Sequence, residues 1–263
     1  MIPSRTLFPI PCAKFTKWLP CLCALVLSSP LVAETSTPQQ DVPTLLDAWL
    51  SMETLPEGQA FYLRSADIDV LEWQALRLQK ELADQIDRQT QAGATDLAEG
   101  LAQWQRQLVE PATLRTPVRA DLVLLTANPR LAPRLSSLDS YGACRIPDWL
   151  EIWNFRGVTR LDWQPGSRLI ETLERMPRDA YRSADDAKVI TPSGTTHTQG
   201  IAAWNEEDIP LTPGSRIIIE LSPDNPSMRW INDHLPAYLA ARMPGNDCTL
   251  YTPDQNIAHD DVH

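Results

Sequence analysis

The stretch WLEIWNFRGVTRLDWQPGSRLIETLERM, residues 149–176, decides the fold. Two extended runs, 151–155 and 158–163, flank Gly157 and read as neighbouring strands. Gln164-Pro165-Gly166 then turns the chain, and Ser167 is the expected cap of a helix with Leu169, Ile170, Leu173 and Met176 inward. Further on, 188–191 and 195–199 flank Pro192-Ser193-Gly194, a hairpin signal. Pro213-Gly214 leads into 216–221, where Ile217, Ile219 and Leu221 alternate. The order strand, strand, helix, strand, strand predicts a small mixed sheet gripping one helix.

Upstream of this unit the texture is helical. Thr44 caps a short apolar helix over 45–52, and 59–64 reads as a strand. From 67 to 91 the apolar positions Leu71, Ala75, Leu78, Leu82 and Ile86 recur at threes and fours, behind the acidic first-turn residues Asp67, Asp69 and Glu72. A turn centred on Gly93 leads to a second helix with Leu97, Leu101, Trp104 and Leu108 on one stripe, ending before Pro111. Together they predict an antiparallel helical hairpin. Residues 116–126 read as a β-type stretch, and Asn128-Pro129, Pro133 and Pro147 mark loops between further short strands.

With 263 residues, 43% apolar and 22% charged, the chain has material for a packed core. A net charge of −11 repels polyanions, which argues against nucleic acid or an anionic membrane as a partner. The 10 glycines against 23 prolines argue against phosphate loops and dinucleotide folds, which need backbone amides exposed at Gly. Residues 1–33 carry Arg5, Lys14 and Lys17, no acid, and an apolar run over 19–32 that is too short to span a bilayer. They are expected to be a signal peptide cleaved near Ala33, delivering the protein to the periplasm without a stable membrane span. Removal of that segment takes three of the five cysteines and leaves Cys144 and Cys248 in an oxidising compartment. Either they form a disulfide tying the C-terminal tail to the start of the last domain, or they are two unpaired thiols.

The C-terminal half carries a resemblance. Gly157-Val158, Trp163-Gln164-Pro165-Gly166, Val189-Ile190-Thr191-Pro192-Ser193-Gly194, Trp204-Asn205 and Leu211-Thr212-Pro213-Gly214-Ser215 resemble the β-grasp module of the capsule-biosynthesis GfcC family. That module is itself similar to the soluble-ligand-binding (SLBB) repeats of outer-membrane polysaccharide-export channels. Ile231-Asn232-Asp233-His234-Leu235 and Arg242-Met243-Pro244 resemble the family's ending, and Leu114-Arg115-Thr116-Pro117-Val118 with Asp121 its return to the sheet after a helical insertion. The resemblance implies an α+β fold of two β-grasp-like domains, the first interrupted by the antiparallel helical hairpin, plus a C-terminal amphipathic helix. The implied boundaries are 34–143 with the insertion at 67–110, 144–222, a helix over 223–244 and a flexible tail over 245–263. Pro236 is expected to kink or delay that helix.

No zinc-helix, nucleophile-elbow or phosphate-loop motif occurs, and no cofactor or metal is expected. His259 with Asp260, Asp261 and His263 reads as a frayed end rather than a metal site. Asp185-Asp186 and Glu206-Glu207-Asp208 are the acids a polysaccharide-modifying enzyme would use, the alternative to a non-catalytic role, and they read as solvated loop residues. Charge is segregated: 113–182 holds eleven arginines against eight acids. Guanidinium forks there suit an acidic polysaccharide or an export protein's acidic face. Arg115 and Arg119 are the candidate ligand contacts. By the resemblance, Arg115 sits in a concavity between layers, where it either meets an anion or closes helix carbonyls at Glu110 or Pro111. Trp49, Trp104, Trp149, Trp153, Trp163, Trp204 and Trp230 are possible sugar platforms, with Trp163 and Trp204 expected as core anchors. The sequence thus predicts a periplasmic accessory protein of capsule or exopolysaccharide assembly and export, binding polysaccharide or the export machinery.

Overall fold

The computed structural model describes residues 42–110, 112–222 and 225–253; the expected signal peptide, Pro111, His259 and His263 lie outside them. Thr44 opens helix α1 (Leu45–Ser51) through a reciprocal cap, its hydroxyl accepting from Asp47 N–H while the Asp47 carboxylate accepts from Thr44 N–H. Strand β1 (Gln59–Leu63) precedes the hairpin of α2 (Ser65–Gln91) and α3 (Thr95–Val109). The stripes read from the sequence are the buried ones: Leu71, Ala75, Leu78 and Leu82 on α2, and Leu101, Trp104 and Leu108 on α3. Gly100 lets α3 touch the backbone of the next layer, where a Cβ would lie 1.9 Å from Phe155 O.

The β-type stretch expected over 116–126 is instead irregular and then helical. Asp121 accepts from Leu124 N–H at 2.9 Å and caps α4 (Leu122–Ala127), so a local cap outweighs the β propensity of the apolar run. The remaining elements are β2 (Ser140–Cys144), β3 (Trp149–Asn154), β4 (Gly157–Asp162), α5 (Leu169–Glu174), β5 (Asp186–Ile190), β6 (Thr196–Gly200), β7 (Arg216–Ile219), α6 (Pro226–Ala241) and β8 (Cys248–Tyr251). Ser167 does not cap α5. Its hydroxyl accepts from Gln164 N–H and closes the turn, while Asp208 accepts from Ile170 N–H and supplies the cap from a distant segment. Pro236 does not end α6; burial of Ile231, Leu235, Tyr238 and Leu239 outweighs one missing hydrogen bond.

Among the described residues two sheets form, giving an α+β architecture. The larger has five strands in the order β4-β3-β7-β5-β6, with β3 and β7 parallel at its centre and the other pairs antiparallel. Both of its faces are covered. Leu150, Ile152, Ala187, Val189, Ile217 and Ile219 pack on α5, whereas Trp153, Ile190 and Ile218 pack on α2, α3 and α6. Leu221 joins the second group, because the chain leaves β7 after Ile219 and the alternation stops. The helical hairpin therefore roofs the C-terminal sheet, with Trp104 edge-on to Trp153 at 5.6 Å. Among the described residues the smaller sheet is three-stranded and antiparallel, β1-β2-β8, lined by α1 and α4 through Trp49, Leu125 and Tyr141. Its third strand comes from residues expected to be a flexible tail. Cys248 faces Cys144 across the ladder and is bonded to it, and that bond fixes 248–251 as a strand. No helix among the described residues is long and apolar enough to cross a membrane.

Candidate binding cleft

One face of the larger sheet carries a row of charge. Arg160, Glu151 and Arg216 are ladder partners across β4, β3 and β7, and Trp149 lies two residues along the same face of β3. Glu151 is 1% exposed and fully engaged. It accepts from Trp153 Nε1 at 2.9 Å and from Arg160 Nε at 2.9 Å, and Arg216 Nε lies 3.5 Å away as an ion pair too long for a hydrogen bond. Burial pushes the Glu151 carboxyl upward, but the charge of Arg216 and the donors on Trp153 and Arg160 outweigh it and hold the group below the ordinary glutamate range.

Arg216 is also buried, and its other nitrogens donate to Leu239 O at 3.1 Å and Met243 O at 3.0 Å. Arg115 works beside it. Its Nη2 donates to Ala240 O and to Pro192 O, and its backbone N–H donates to Ala241 O at 2.7 Å. Two guanidiniums and one amide thus satisfy the carbonyls that the end of α6 would leave open, at the negative end of the helix dipole. Burial, and for Arg115 the neighbouring charge of Arg216, pulls both arginines down to about 10, so both stay cationic at neutral pH. Of the two roles expected for Arg115, its position fits the closing of carbonyls, though not the ones expected. It is wholly buried, offers no surface to a ligand, and closes carbonyls of α6 and of the β5–β6 turn rather than that of Glu110. Arg119 is likewise engaged locally, gripping Asp121 through two bonds of 2.9 and 3.1 Å beside the α4 cap.

Above the charged row opens a cleft of about 410 Å³, walled by Trp149, Arg160, Arg216 and Arg242 and rimmed by Asn246 and Cys248. The Arg160 guanidinium lies 4.7 Å from the Trp149 ring centre and that of Arg216 5.7 Å, so the half-buried indole is a platform under cations. Arg242 Nη1 is buried with no hydrogen-bond partner among the described residues. Among the described residues no carboxylate lines the cleft; Glu151 balances part of the charge from beneath. The geometry suits a planar anion that accepts from two or three guanidiniums while an apolar face rests on Trp149.

Sequence reasoning missed this set. A charge inside each of two otherwise apolar strands, Glu151 in WLEIW and Arg216 in RIII, was the available signal. Of the acids singled out for chemistry, Asp185 and Asp186 hold the 202–205 turn and Asp208 the start of α5. Asp186 accepts from Asn205 Nδ2 at 3.1 Å, Asp208 pairs with Arg168 at 2.6 Å, and Glu206 and Glu207 are exposed. Trp163 packs against the α5 core, but Trp204 is 76% exposed, since 202–206 turn outside the sheet with only the indole N–H engaged, on Asp185. Among the described residues no group of three or more His, Cys, Asp or Glu is arranged to hold a metal ion. Residues 157–244 match the family model described as "Capsule biosynthesis GfcC C-terminal", and this match supports the capsule biosynthesis GfcC family for the chain.

Proposed function

We propose that the protein is a periplasmic, non-catalytic accessory factor of capsule or exopolysaccharide assembly and export, and that its arginine cleft holds acidic groups of the polysaccharide. The family match supports a part in capsule biosynthesis. The order β4-β3-β7-β5-β6, with its central parallel pair and α5 packed on one face, supports reading 149–219 as a β-grasp module of the SLBB-like kind. The three-stranded sheet is then a reduced first module. The observation that carries the binding role is the cleft itself: two guanidiniums over an indole and a third, of Arg242, in the lining, with no carboxylate there among the described residues, on a chain of net charge −11.

The test is calorimetric titration of the mature protein with capsular polysaccharide purified from the cells that make it. Arg242→Ala is expected to weaken binding about tenfold, the worth of one charge-assisted hydrogen bond, at unchanged melting temperature. Binding that Arg242→Ala leaves intact would remove the cleft from the reading. Loss of a polysaccharide-export protein from the Arg242→Ala pull-down, with polysaccharide binding kept, would give the cleft to the export machinery. Turnover of the polysaccharide, abolished by Asp185→Asn or Glu207→Gln, would overturn the non-catalytic assignment. Periplasmic extracts are expected to contain a chain starting at Glu34; retention in the cytoplasm would overturn the location.

A further inference from the structure

Away from the cleft, α2 and α6 lie side by side and leave a groove of about 450 Å³ between Trp73 and Trp230. Trp73 is 66% exposed, on a helix face whose other side is core. Burying apolar surface is favourable, so an indole left this open on a well-packed helix has a use outside the fold or none. The opposite wall is built rather than accidental. The His234 imidazole stacks on the Trp230 ring at 4.0 Å and 16°, its Nδ1 fixed 2.8 Å from Trp230 O, and the Arg77 guanidinium lies 4.3 Å from the same ring centre. Gln74 lines the groove and its Oε1 is buried with no hydrogen-bond partner among the described residues, and Asp69 adds a second acceptor to the lining.

An open indole flanked by a guanidinium, an imidazole, an unsatisfied amide and a carboxylate presents donors and acceptors together around an aromatic face. That is the complement of a pyranose, whose axial C–H face is apolar and whose hydroxyls each donate and accept. A lipid tail or an apolar helix brings the Gln74 and Asp69 oxygens no donor, whereas a sugar hydroxyl does. We infer that the α2–α6 groove is a second saccharide subsite for an uncharged sugar unit, stacked on Trp73 with hydroxyls on Gln74, Asp69 and Arg77. The choice of a sugar rests on the proposed saccharide-binding role, but the site is separate from the arginine cleft and is tested separately.

The probes are cellohexaose and chitohexaose, two uncharged hexasaccharides, titrated to about 10 mM into the ¹⁵N-labelled mature protein while the indole N–H signals are followed. Signals are assigned with Trp73→Phe and Trp230→Phe. Saturable shifts confined to Trp73 and Trp230 are expected with at least one probe. Trp73→Ala should raise Kd about tenfold or more, with melting unchanged because the side chain is exposed, and Arg242→Ala should leave Kd within about twofold. Unmoved Trp73 and Trp230 signals with both probes, or shifts that persist in Trp73→Ala, would overturn the inference. So would broadening of those signals with protein concentration alone, which would give the groove to a second copy of the chain. Acidic polysaccharide bound in the cleft with this groove silent would sink the subsite and leave the proposed function standing; the reverse pattern would do the opposite.

Discussion

The two sheets solve the same problem at different ranges along the chain. All five strands of the larger sheet come from 149–219, two of its pairings are hairpins, and helices bury both faces. The smaller sheet draws β1, β2 and β8 from positions near 60, 142 and 250, and its β2–β8 pairing is held by a disulfide spanning 104 residues. Local turns pair the strands of the first, and its two-sided core borrows one layer from the α2–α3 hairpin. The second closes long loops, so a covalent tie between β2 and β8 offsets part of the closure entropy.

The comparison breaks most visibly at Glu151. Glu151→Ala leaves Arg216 buried without its counter-charge and is expected to cost about 3–5 kcal/mol, read in chemical denaturation of the larger sheet. The same residue sets an acid limit. Its folded pKa is depressed, so its stabilising effect is complete above the unfolded carboxyl range and is lost as pH falls through the folded value. Glu151→Gln should flatten that acid loss; an unchanged acid profile would show that Glu151 does not carry it.

A smaller effect, in the other sheet, is expected from removing the Cys144–Cys248 bond. Replacing both cysteines by serine should cost about 2–4 kcal/mol, with faster amide exchange in β8 and β2 while β3, β5 and β7 keep their protection. Equal loss of protection in both sheets would mean that they fold as one unit. The smallest effect belongs to Arg119→Ala. Its partner Asp121 still caps α4 without it, and the exposed pair contributes less than about 1 kcal/mol.

The same contrast decided what the sequence disclosed. Hairpin turns at Gly157 and Gly194 and the periodic stripes of α2 and α3 are local signals, and those elements lie where the pattern predicts them. The strand β8 has no local signature. Cys248–Tyr251 is a strand through its ladder to Tyr141–Cys144, about a hundred positions away, with the disulfide at one end of that ladder. Asp121 shows a cap overriding propensity, and Trp204 shows that an aromatic residue amid turn residues need not be core. The resemblance picked out Arg115 as notable but not the carbonyls it serves, because those belong to α6 and to the β5–β6 turn. The cleft arginines at 160, 216 and 242 sit on β4, on β7 and just past α6, and only the completed sheet brings them together.

The disulfide has one mechanical consequence. Everything from Arg145 to Asp247, the whole larger sheet with α5 and α6, hangs inside a loop whose neck is a single covalent bond. The covalent path from the chain before β1 to the chain after β8 runs through β1, the α2–α3 hairpin, α4, β2, the sulfur bridge and β8, bypassing that loop. A polymer or a neighbour tugging on either end would load the small sheet and the hairpin along the chain, while the strands that carry Arg160 and Arg216 lie off the covalent path.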